Sequence, residues 1–457
     1  MSFTEQGEKY KGERAISDIR GRLKSLKTFQ AIFPLLVGRM PGQLVIQYTD
    51  RCNARCPQCG MRITESFRRS RLDSDVVKRI IDSARKKGMQ AVSFTGGEPF
   101  LYFYEIVELI QYAGDAGIRY TRTGTNGFLF MNSHKPDYEA KITRIAEILA
   151  ATGLYNFWIS MDSADAAVHE EMRGLPGVVA GIKKALPIFH KHGIYPSANL
   201  GINRNTGGFP LPDVSNSLRF YKSMREAFRK FYMTTIDLGF TMVNACYPMS
   251  LEPGSTDGLH AVYGASSEAP LIQFSPDEKS LVFKALFDTI PEFRSKIRIF
   301  SPRSSLYSLL RQYTVGEEYC YPCRGGIDFF FVDAKGGNTY PCGYRGDENL
   351  GKFWGPVLRN GNEGASCKKC DWECFRDPSE LFGPLQSLFS RPVAFFERVL
   401  KDRAYIGLWL EDLRYSSACG FFNGRSAPDY KALSAFRQSG TVEEDGHRNE
   451  ASIPCAY

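Results

Sequence analysis

Short apolar segments alternate with amphipathic segments of helical periodicity from residue 42 onward, and this alternation limits the folds open to the chain. Strands are predicted at 44–49, 91–95, 119–124, 157–161, 197–202 and 236–243. Helices are predicted between them, near 73–87, 103–116, 137–150, 177–192 and 214–230. Strands that alternate with helices in this way predict an α/β fold with a parallel sheet, either open or curled into a partial barrel.

The composition is that of an ordinary globular chain. Its 457 residues predict one large domain with smaller pieces attached. The formal charge of +8 is spread along the sequence without a long basic run, which argues against a nucleic-acid partner. No segment reaches the roughly 18 apolar residues of a membrane span, and the first residues do not resemble a signal peptide. We therefore expect a cytoplasmic protein whose twelve cysteines bind metal or clusters and do not form disulfides.

Cys52, Cys56 and Cys59 lie in the loop directly after the first predicted strand, with the spacing C-x3-C-x2-C. Three thiolates from one short loop can hold three irons of a [4Fe-4S] cluster and leave the fourth iron open. An open iron allows a cluster to bind a reactant as well as to carry electrons. The alternatives are a zinc site, which needs a fourth ligand that this neighbourhood lacks, and simple buried thiols.

The segment TDRCNARCPQCGM around these cysteines resembles the signature loop of the radical S-adenosylmethionine (SAM) superfamily. Three further motifs match that family in order, namely GGEP at Gly96–Pro99, TNG at Thr125–Gly127 and the segment Ser160–Gly174. Each follows a predicted strand, and parallel barrels place their sites at the carboxyl ends of their strands. One glycine turn after a strand is a weak signal, whereas four motifs in register are a strong one.

The resemblance implies a partial (β/α)6 TIM-like barrel and a set of contacts to SAM. The implied contacts are Gly96, Gly97, Glu98, Pro99, Asn126, Ser160, Asp162 and Arg173. The charges agree with these roles, because the methionine end of SAM needs an acceptor for its ammonium group and a donor for its carboxylate. Glu98 and the Gly96–Gly97 backbone can supply the first, and Arg173 the second. The family usually has an aromatic residue before the third cysteine, where this chain has Gln58; an amide can hydrogen-bond the adenine edge in place of stacking.

A second group of cysteines lies between residues 316 and 380 and comprises Cys320, Cys323, Cys342, Cys367, Cys370 and Cys374. A β-hairpin turned at Gly336–Gly337 would bring Cys323 and Cys342 together. Cys367 and Cys370 would then complete a shell of four thiolates.

This second group resembles the SPASM or twitch extension, which carries auxiliary [4Fe-4S] clusters in many radical SAM enzymes. The later part of the pattern departs from the family, because only C-x2-C-x3-C is present. We therefore expect one auxiliary cluster, with Cys320 and Cys374 as alternate ligands or as ligands of a second cluster. A zinc ribbon built from two C-x-x-C pairs is the alternative.

Three cysteines stand outside both groups. Cys246 is near the end of the sixth predicted strand, where it would face the barrel mouth and could donate a hydrogen atom to a product radical. The alternative is a small buried thiol without a catalytic role. Cys419 and Cys455 would raise the thiol count enough for a second auxiliary cluster, but nothing in the sequence places them near the others.

The chain divides into five predicted parts. Residues 1–41 form an N-terminal extension with an amphipathic helix over 16–37, which we expect to pack on the main domain in preference to a membrane surface. The parts that follow are a barrel over 42–250, a bridging segment over 251–315, an auxiliary-cluster domain over 316–380, and a C-terminal helical extension with a polar tail over 381–457.

Together these features predict a radical SAM enzyme. The family's chemistry implies that a reduced cluster cleaves SAM to a 5′-deoxyadenosyl radical, which takes a hydrogen atom from a substrate C–H bond. We expect an oxidative or isomerising modification of a small molecule, a sugar, a lipid-linked compound or a ribosomal peptide. The resemblance also implies an electron donor such as flavodoxin or ferredoxin. The alternative is a non-catalytic iron-sulfur or zinc scaffold.

Overall fold

A single nine-stranded sheet forms the centre of the fold. The computed structural model describes residues 38–60, 69–248, 261–263, 267, 269–316, 320–355 and 365–438. The strands are β1 Gly42–Thr49, β2 Met89–Gly96, β3 Tyr120–Thr125, β4 Leu154–Met161, β5 Ser197–Gly201, β6 Met242–Cys246, β7 Arg298–Phe300, β8 Phe329–Val332 and β9 Thr339–Tyr340. Their order in the sheet is β7-β6-β5-β4-β3-β2-β1-β8-β9. Strands β1 to β7 are parallel and follow the order of the sequence, which confirms the predicted α/β fold and is the arrangement of a partial barrel.

Helices cover the outer face of this sheet. The helices within the described residues are α1 Ser74–Lys86, α2 Phe103–Asp115, α3 Tyr138–Ala150, α4 Ala166–Arg173, α5 Val178–Lys191, α6 Ser217–Leu238, α7 Pro276–Phe293, α8 Arg303–Thr314, α9 Glu373–Ser390, α10 Pro392–Lys401, α11 Arg403–Ala418 and α12 Tyr430–Leu433. The apolar positions of α1–α3 and α5–α8 recur at helical spacing and join the outward-facing strand residues in one core. None of the helices in the described part of the chain has both the length and the apolar character needed to span a bilayer.

Side chains cap the first turn at two helix starts. The Asp73 side chain accepts a hydrogen bond from the Asp75 amide and starts α1. Ser275 and Glu278 form a complete capping box at the start of α7. Side chains at these positions satisfy amide groups that have no partner within the helix.

The prediction of a sixth strand at 236–243 is wrong in position. Helix α6 continues to Leu238 and ends at Gly239, whose φ of 101° suits glycine. Strand β6 begins at Met242, because the apolar residues before it recur at helical spacing and bury one face of α6. A further parallel strand, β7, pairs with β6 in the segment predicted to be a bridge. Three residues are too few for a pattern in the sequence to reveal this strand.

The predicted hairpin is present as β8 and β9, and it extends the barrel sheet. Strand β8 runs parallel to β1, and β9 pairs with β8 in the antiparallel direction. The Asp333 carboxylate closes the turn by accepting hydrogen bonds from the amides of Gly336 and Asn338, at 2.9 and 3.1 Å. The cysteine-rich region therefore shares one sheet with the radical SAM motifs. The predicted domain boundaries remain a prediction.

The C-terminal extension closes the amino-terminal end of the barrel. The predicted helical extension contains α10 and α11 as separate helices, because Asp402 interrupts them and caps α11 by accepting from the Tyr405 amide. After α11 the chain returns to the sheet, where the Gly424 carbonyl accepts from the Tyr195 amide at 2.7 Å and the Gly424 amide donates to the Tyr155 carbonyl at 3.0 Å. The Arg425 guanidinium donates to carbonyls at the end of α3. The predicted helix at 16–37 lies outside the described residues, as does Cys455.

Candidate active site

The three-cysteine loop follows the carboxyl end of β1, which lies between β2 and β8 in the sheet. Cys56 is buried, Cys59 is partly buried and Cys52 is exposed. The Cys52 sulfur accepts a hydrogen bond from the Ala54 amide at 3.4 Å and lies 3.7 Å from the Asn126 side-chain nitrogen. The predicted ligand loop and the predicted TNG motif are therefore in contact.

The GGEP motif packs backbone to backbone against the start of the cysteine loop. The Gly97 amide donates to the Thr49 carbonyl, and the Glu98 amide donates to the Arg51 carbonyl, both at 2.8 Å. A Cβ atom on Gly97 would lie 2.1 Å from the Arg51 oxygen, and one on Gly96 would lie equally close to the Thr49 oxygen. Both positions thus require glycine for a steric reason, because real Cβ atoms do not approach backbone so closely.

Glu98 joins the GGEP and TNG motifs. Its carboxylate is fully buried and accepts from the Phe100 amide at 2.9 Å and the Asn126 amide at 2.6 Å. Burial raises the pKa of Glu98 to about 7, while the two amide hydrogen bonds oppose this shift. A carboxylate has about four acceptor positions, so Glu98 keeps capacity for a further donor such as an ammonium group. Pro99 begins the short 3-10 helix that follows.

Arg173 and Asp162 form a buried ion pair behind the cysteine loop, with nitrogen and oxygen 2.8 Å apart. The Arg173 carbonyl also accepts from the Arg55 amide at 3.1 Å. Burial raises the pKa of the Cys56 thiol to about 12, and the positive charge of Arg173 opposes that shift. The guanidinium is therefore placed to favour thiolates in the loop and to attract a carboxylate ligand.

Gln58 contacts Asp162, and Ser160 faces the barrel interior. The Gln58 side-chain nitrogen donates to Asp162 at 2.9 Å, and its amide oxygen is buried without a hydrogen-bond partner. Ser160 pairs with Asn199 in the β4–β5 ladder. Its neighbours Ile159 and Met161 belong to the helix-covered core, so Ser160 points the other way. These positions bring every predicted SAM contact to the carboxyl ends of β2, β3 and β4; their roles remain predictions.

His169 contacts the backbone of Asp162. The sequence did not predict it as a site residue. It is fully buried, and its Nδ1 accepts a hydrogen bond from the Asp162 amide at 3.0 Å. Burial lowers the pKa of His169 to about 4, so the ring is neutral at pH 7. Asn203 donates to the Asp162 carbonyl at 2.8 Å. A lone histidine on a helix carries no local signal for such a role, because the contact depends on how α4 folds back on β4.

The predicted quartet Cys323, Cys342, Cys367 and Cys370 lines one small pocket. The Cys323 amide donates to the Cys367 carbonyl at 2.7 Å, which joins the hairpin region to the later C-x2-C pair. Burial raises the pKa of Cys323 to about 11 and that of Cys342 to about 12. Arg345 and Arg376 complete the pocket wall and place positive charge beside the thiols.

The other two cysteines of this region do not line this pocket. The Cys374 thiol donates to the Glu373 carboxylate at 3.3 Å. Cys320 is buried beside Arg376 and Glu380, whose charges act on its thiol. The pocket lining therefore contains the predicted quartet and neither of the two predicted alternates. Cys419 packs with Tyr415 among the C-terminal helices.

The chemistry of these donors suits iron-sulfur clusters. Three cysteine thiols lie in the first loop and four line the pocket. In a [4Fe-4S] cluster each thiolate ligates a separate iron, so three thiols leave one iron open and four thiols ligate all four. Within the described residues no group of three or more His, Cys, Asp or Glu side chains is arranged around a single ion.

Cys246 lies at the carboxyl end of β6, beside Asn199 and near Glu373 and Cys374. Its thiol donates to the Asn199 side-chain oxygen at 3.4 Å, and Asn244 donates to the same oxygen at 2.8 Å. Burial raises the pKa of Cys246 well above its usual value, so the sulfur carries its hydrogen at neutral pH. Burial also raises the pKa of nearby Glu373 to about 7. Hydrogen-atom donation by Cys246 remains a prediction.

Residues 46–210, which contain the loop and the three motifs described above, match the model of the Radical SAM superfamily. Residues 46–210 therefore form a radical SAM domain. This confirms the resemblance drawn from the motifs, and the similarity to named enzymes supports an enzymatic role.

Named relatives match different shares of the chain. An AdoMet-dependent heme synthase of Methanosarcina barkeri is 24% identical over 350 residues, which are 75% of this chain and 87% of the relative. A GTP 3′,8-cyclase of a Synechococcus species is 33% identical over 144 residues, 31% of this chain and 37% of the relative. The structure of SuiB from Streptococcus suis bound to its precursor peptide SuiA is 16% identical, with a TM-score of 0.43, and the match covers 77% of this chain and 68% of SuiB.

Proposed function

We propose that this radical SAM enzyme cleaves SAM reductively and uses the 5′-deoxyadenosyl radical to take a hydrogen atom from a substrate inside the barrel. The observation that carries this proposal is the contact network around the first loop. The Cys52 loop, Glu98 and Asn126 are joined by short hydrogen bonds, with Arg173 at the same end of the sheet. A scaffold protein has no need of an amino-acid-binding network beside an incomplete set of thiols.

The residues of the chain divide the task of binding SAM. Glu98 accepts from the ammonium group, and Arg173 donates to the carboxylate while Asp162 holds the guanidinium in place. A [4Fe-4S] cluster held by Cys52, Cys56 and Cys59 would supply the electron that breaks the carbon–sulfur bond of SAM. An external donor such as flavodoxin or ferredoxin would replace that electron. The segment around Gly424 packs at the opposite end of the sheet, at the amino-terminal ends of β4 and β5.

The four-thiol pocket supports a second redox step. We assign it one auxiliary [4Fe-4S] cluster held by Cys323, Cys342, Cys367 and Cys370. In an oxidative modification the substrate gives one hydrogen atom to the 5′-deoxyadenosyl radical, then one electron to the auxiliary cluster and one proton to solvent. An isomerising reaction would instead need a hydrogen-atom donor, and the protonated Cys246 thiol at the carboxyl end of β6 could serve as one.

A small-molecule substrate is favoured over a peptide. The relative from Methanosarcina barkeri aligns with 75% of this chain, which is more than the barrel alone. It is named as a heme synthase, and heme is a small molecule. The GTP cyclase relative is also named for a small molecule, but it matches a smaller share of this chain. A peptide is the second substrate class, to be tested if candidate small molecules give no product.

The effect of SAM on the electron paramagnetic resonance spectrum separates the enzyme from a scaffold. We expect SAM to change the g values of the anaerobically reconstituted, reduced protein, because SAM would bind the open iron at the first loop. The Cys56→Ala variant should lose the SAM-sensitive signal and keep one signal that SAM does not alter. A fully loaded wild-type protein whose spectrum is unchanged by SAM would favour the scaffold.

A further inference from the structure

Arg122 occupies the interior of the barrel below the SAM site. It pairs with Ser93 of β2 and Asn156 of β4 in the parallel ladders. Thr121 and Thr123 are fully buried on the helix-covered face of β3, so Arg122 points into the interior. It precedes Asn126 by four residues, which corresponds to about 13 Å along the strand.

The Arg122 guanidinium has no partner among the described residues. It is enclosed deep within the protein, yet the residue keeps some solvent-accessible surface, as expected for a side chain that faces an internal space. Its Nε is buried without a hydrogen-bond acceptor. Other deeply buried arginines are paired, for example Arg294 with Asp412 at 2.5 Å and Arg324 with Asp328 at 2.5 Å.

No negative charge from the described residues compensates Arg122. The two ionisable groups that act on its charge are the Cys374 thiol and the Tyr155 phenol. Each already donates its hydrogen elsewhere, Cys374 to Glu373 and Tyr155 to the Phe421 carbonyl. A buried cation without an anion is costly, because desolvation is not offset by a nearby opposite charge. Such an arrangement persists where a ligand supplies the missing charge.

An aromatic side chain lies near Arg122 on the interior face of the sheet. The Trp158 indole lies against β3, where a Cβ atom on Gly124 would be 2.1 Å from the indole nitrogen. A planar ring and a guanidinium therefore line neighbouring positions of the interior. A guanidinium binds carboxylate or phosphate oxygens through two parallel hydrogen bonds, which fixes the orientation of the ligand as well as its charge.

We infer that Arg122 binds an anionic group of the substrate, a carboxylate or a phosphate, inside the barrel on the interior face of β3. The inference rests on the proposed function, since it assigns the substrate of that site to the class of acidic compounds. Arg122 would bind the anionic group of the substrate inside the barrel. The SAM contacts would bind SAM at the carboxyl ends of the strands.

Anion binding to the reconstituted protein tests this assignment without SAM cleavage. The probes are inorganic phosphate and succinate, measured by calorimetry in the absence of reductant, with wild type, Arg122→Met and Arg122→Lys. We expect at least one anion to bind the wild type, and the tighter of the two to identify the group. Affinity should fall roughly tenfold or more in Arg122→Met and less in Arg122→Lys, because a charged hydrogen-bond pair is lost. The control is Arg119→Met, an exposed arginine just before β3 that should leave binding unchanged.

Thermal unfolding without anions separates a binding role from a structural one. Arg122→Met should unfold at the wild-type temperature or above it, because the variant removes a desolvated, unpaired cation. The inference would be overturned by equal anion binding in wild type and Arg122→Met, by no binding of either anion to the wild type, or by a much lower unfolding temperature for Arg122→Met. A failure of radical chemistry would show separately, as absent SAM cleavage in a protein that still binds the anion.

Discussion

Cys370→Ala is expected to lower the iron content of the reconstituted protein from about eight to about four irons per chain, as a [4Fe-4S] cluster is lost. Cys374→Ala, four positions later, should keep the full iron content. The reason is geometric, since Cys370 lines the four-thiol pocket whereas the Cys374 thiol donates to Glu373. Iron and sulfide analysis of the two variants, prepared side by side, measures this difference.

Cys320→Ala is a second control for the same assignment. Cys320 is buried beside Arg376 and, like Cys374, does not line the pocket. Equal iron loss in Cys370→Ala and Cys374→Ala would show that Cys374 is a ligand and that the quartet is assigned wrongly. Retention of zinc without iron by the wild-type pocket would support the zinc ribbon.

Gly97→Ala is expected to disrupt the first cluster loop. The new methyl group would lie 2.1 Å from the Arg51 oxygen and 2.6 Å from its carbonyl carbon, so the backbone before Cys52 has to move. Overpacking of this kind typically lowers the free energy of unfolding by about 1–3 kcal/mol. We also expect less iron at the first loop and at least roughly tenfold slower SAM cleavage, since a displacement of about 1 Å can cost a hundredfold in rate.

Gly407→Ala is the matched control for this substitution. Gly407 is exposed within α11, and no atom lies within 4 Å of the position that its Cβ would take. Alanine is favoured over glycine in a helix by about 1 kcal/mol, so this variant should be as stable as the wild type or more stable. A Gly97→Ala protein that loads its cluster and cleaves SAM like the wild type would contradict the tight approach of GGEP to the loop.

The features that could be predicted from the sequence are those encoded locally. Strands β1 to β5 follow apolar segments between helical patterns, and the cysteine spacing identifies the loop after β1. The quartet could also be predicted, because a hairpin with glycines at its turn dictates which cysteines approach each other. The separation of Cys374 from this quartet could not, since it depends on the direction in which α9 leaves the pocket.

The features that were missed depend on contacts between distant segments. Strand β8 pairs with β1, nearly three hundred residues earlier in the chain, and no local pattern specifies that partner. The contact between His169 and Asp162 and the placement of Gly424 beside Tyr155 arise in the same way. Arg122 lies within a predicted strand, where its lack of a partner becomes visible only when the surrounding strands are in place.

Release of 5′-deoxyadenosine from SAM by the anaerobically reconstituted, reduced protein tests the central claim most directly. The account predicts that the wild type and Cys419→Ala, whose cysteine packs among the C-terminal helices, release 5′-deoxyadenosine, and that Cys56→Ala releases none. Candidate acidic small molecules should be included in the assay, since a bound substrate can be needed for cleavage. No release by a fully loaded wild-type protein with these substrates, or equal release by Cys56→Ala, would contradict the assignment of the first loop as the site of radical formation.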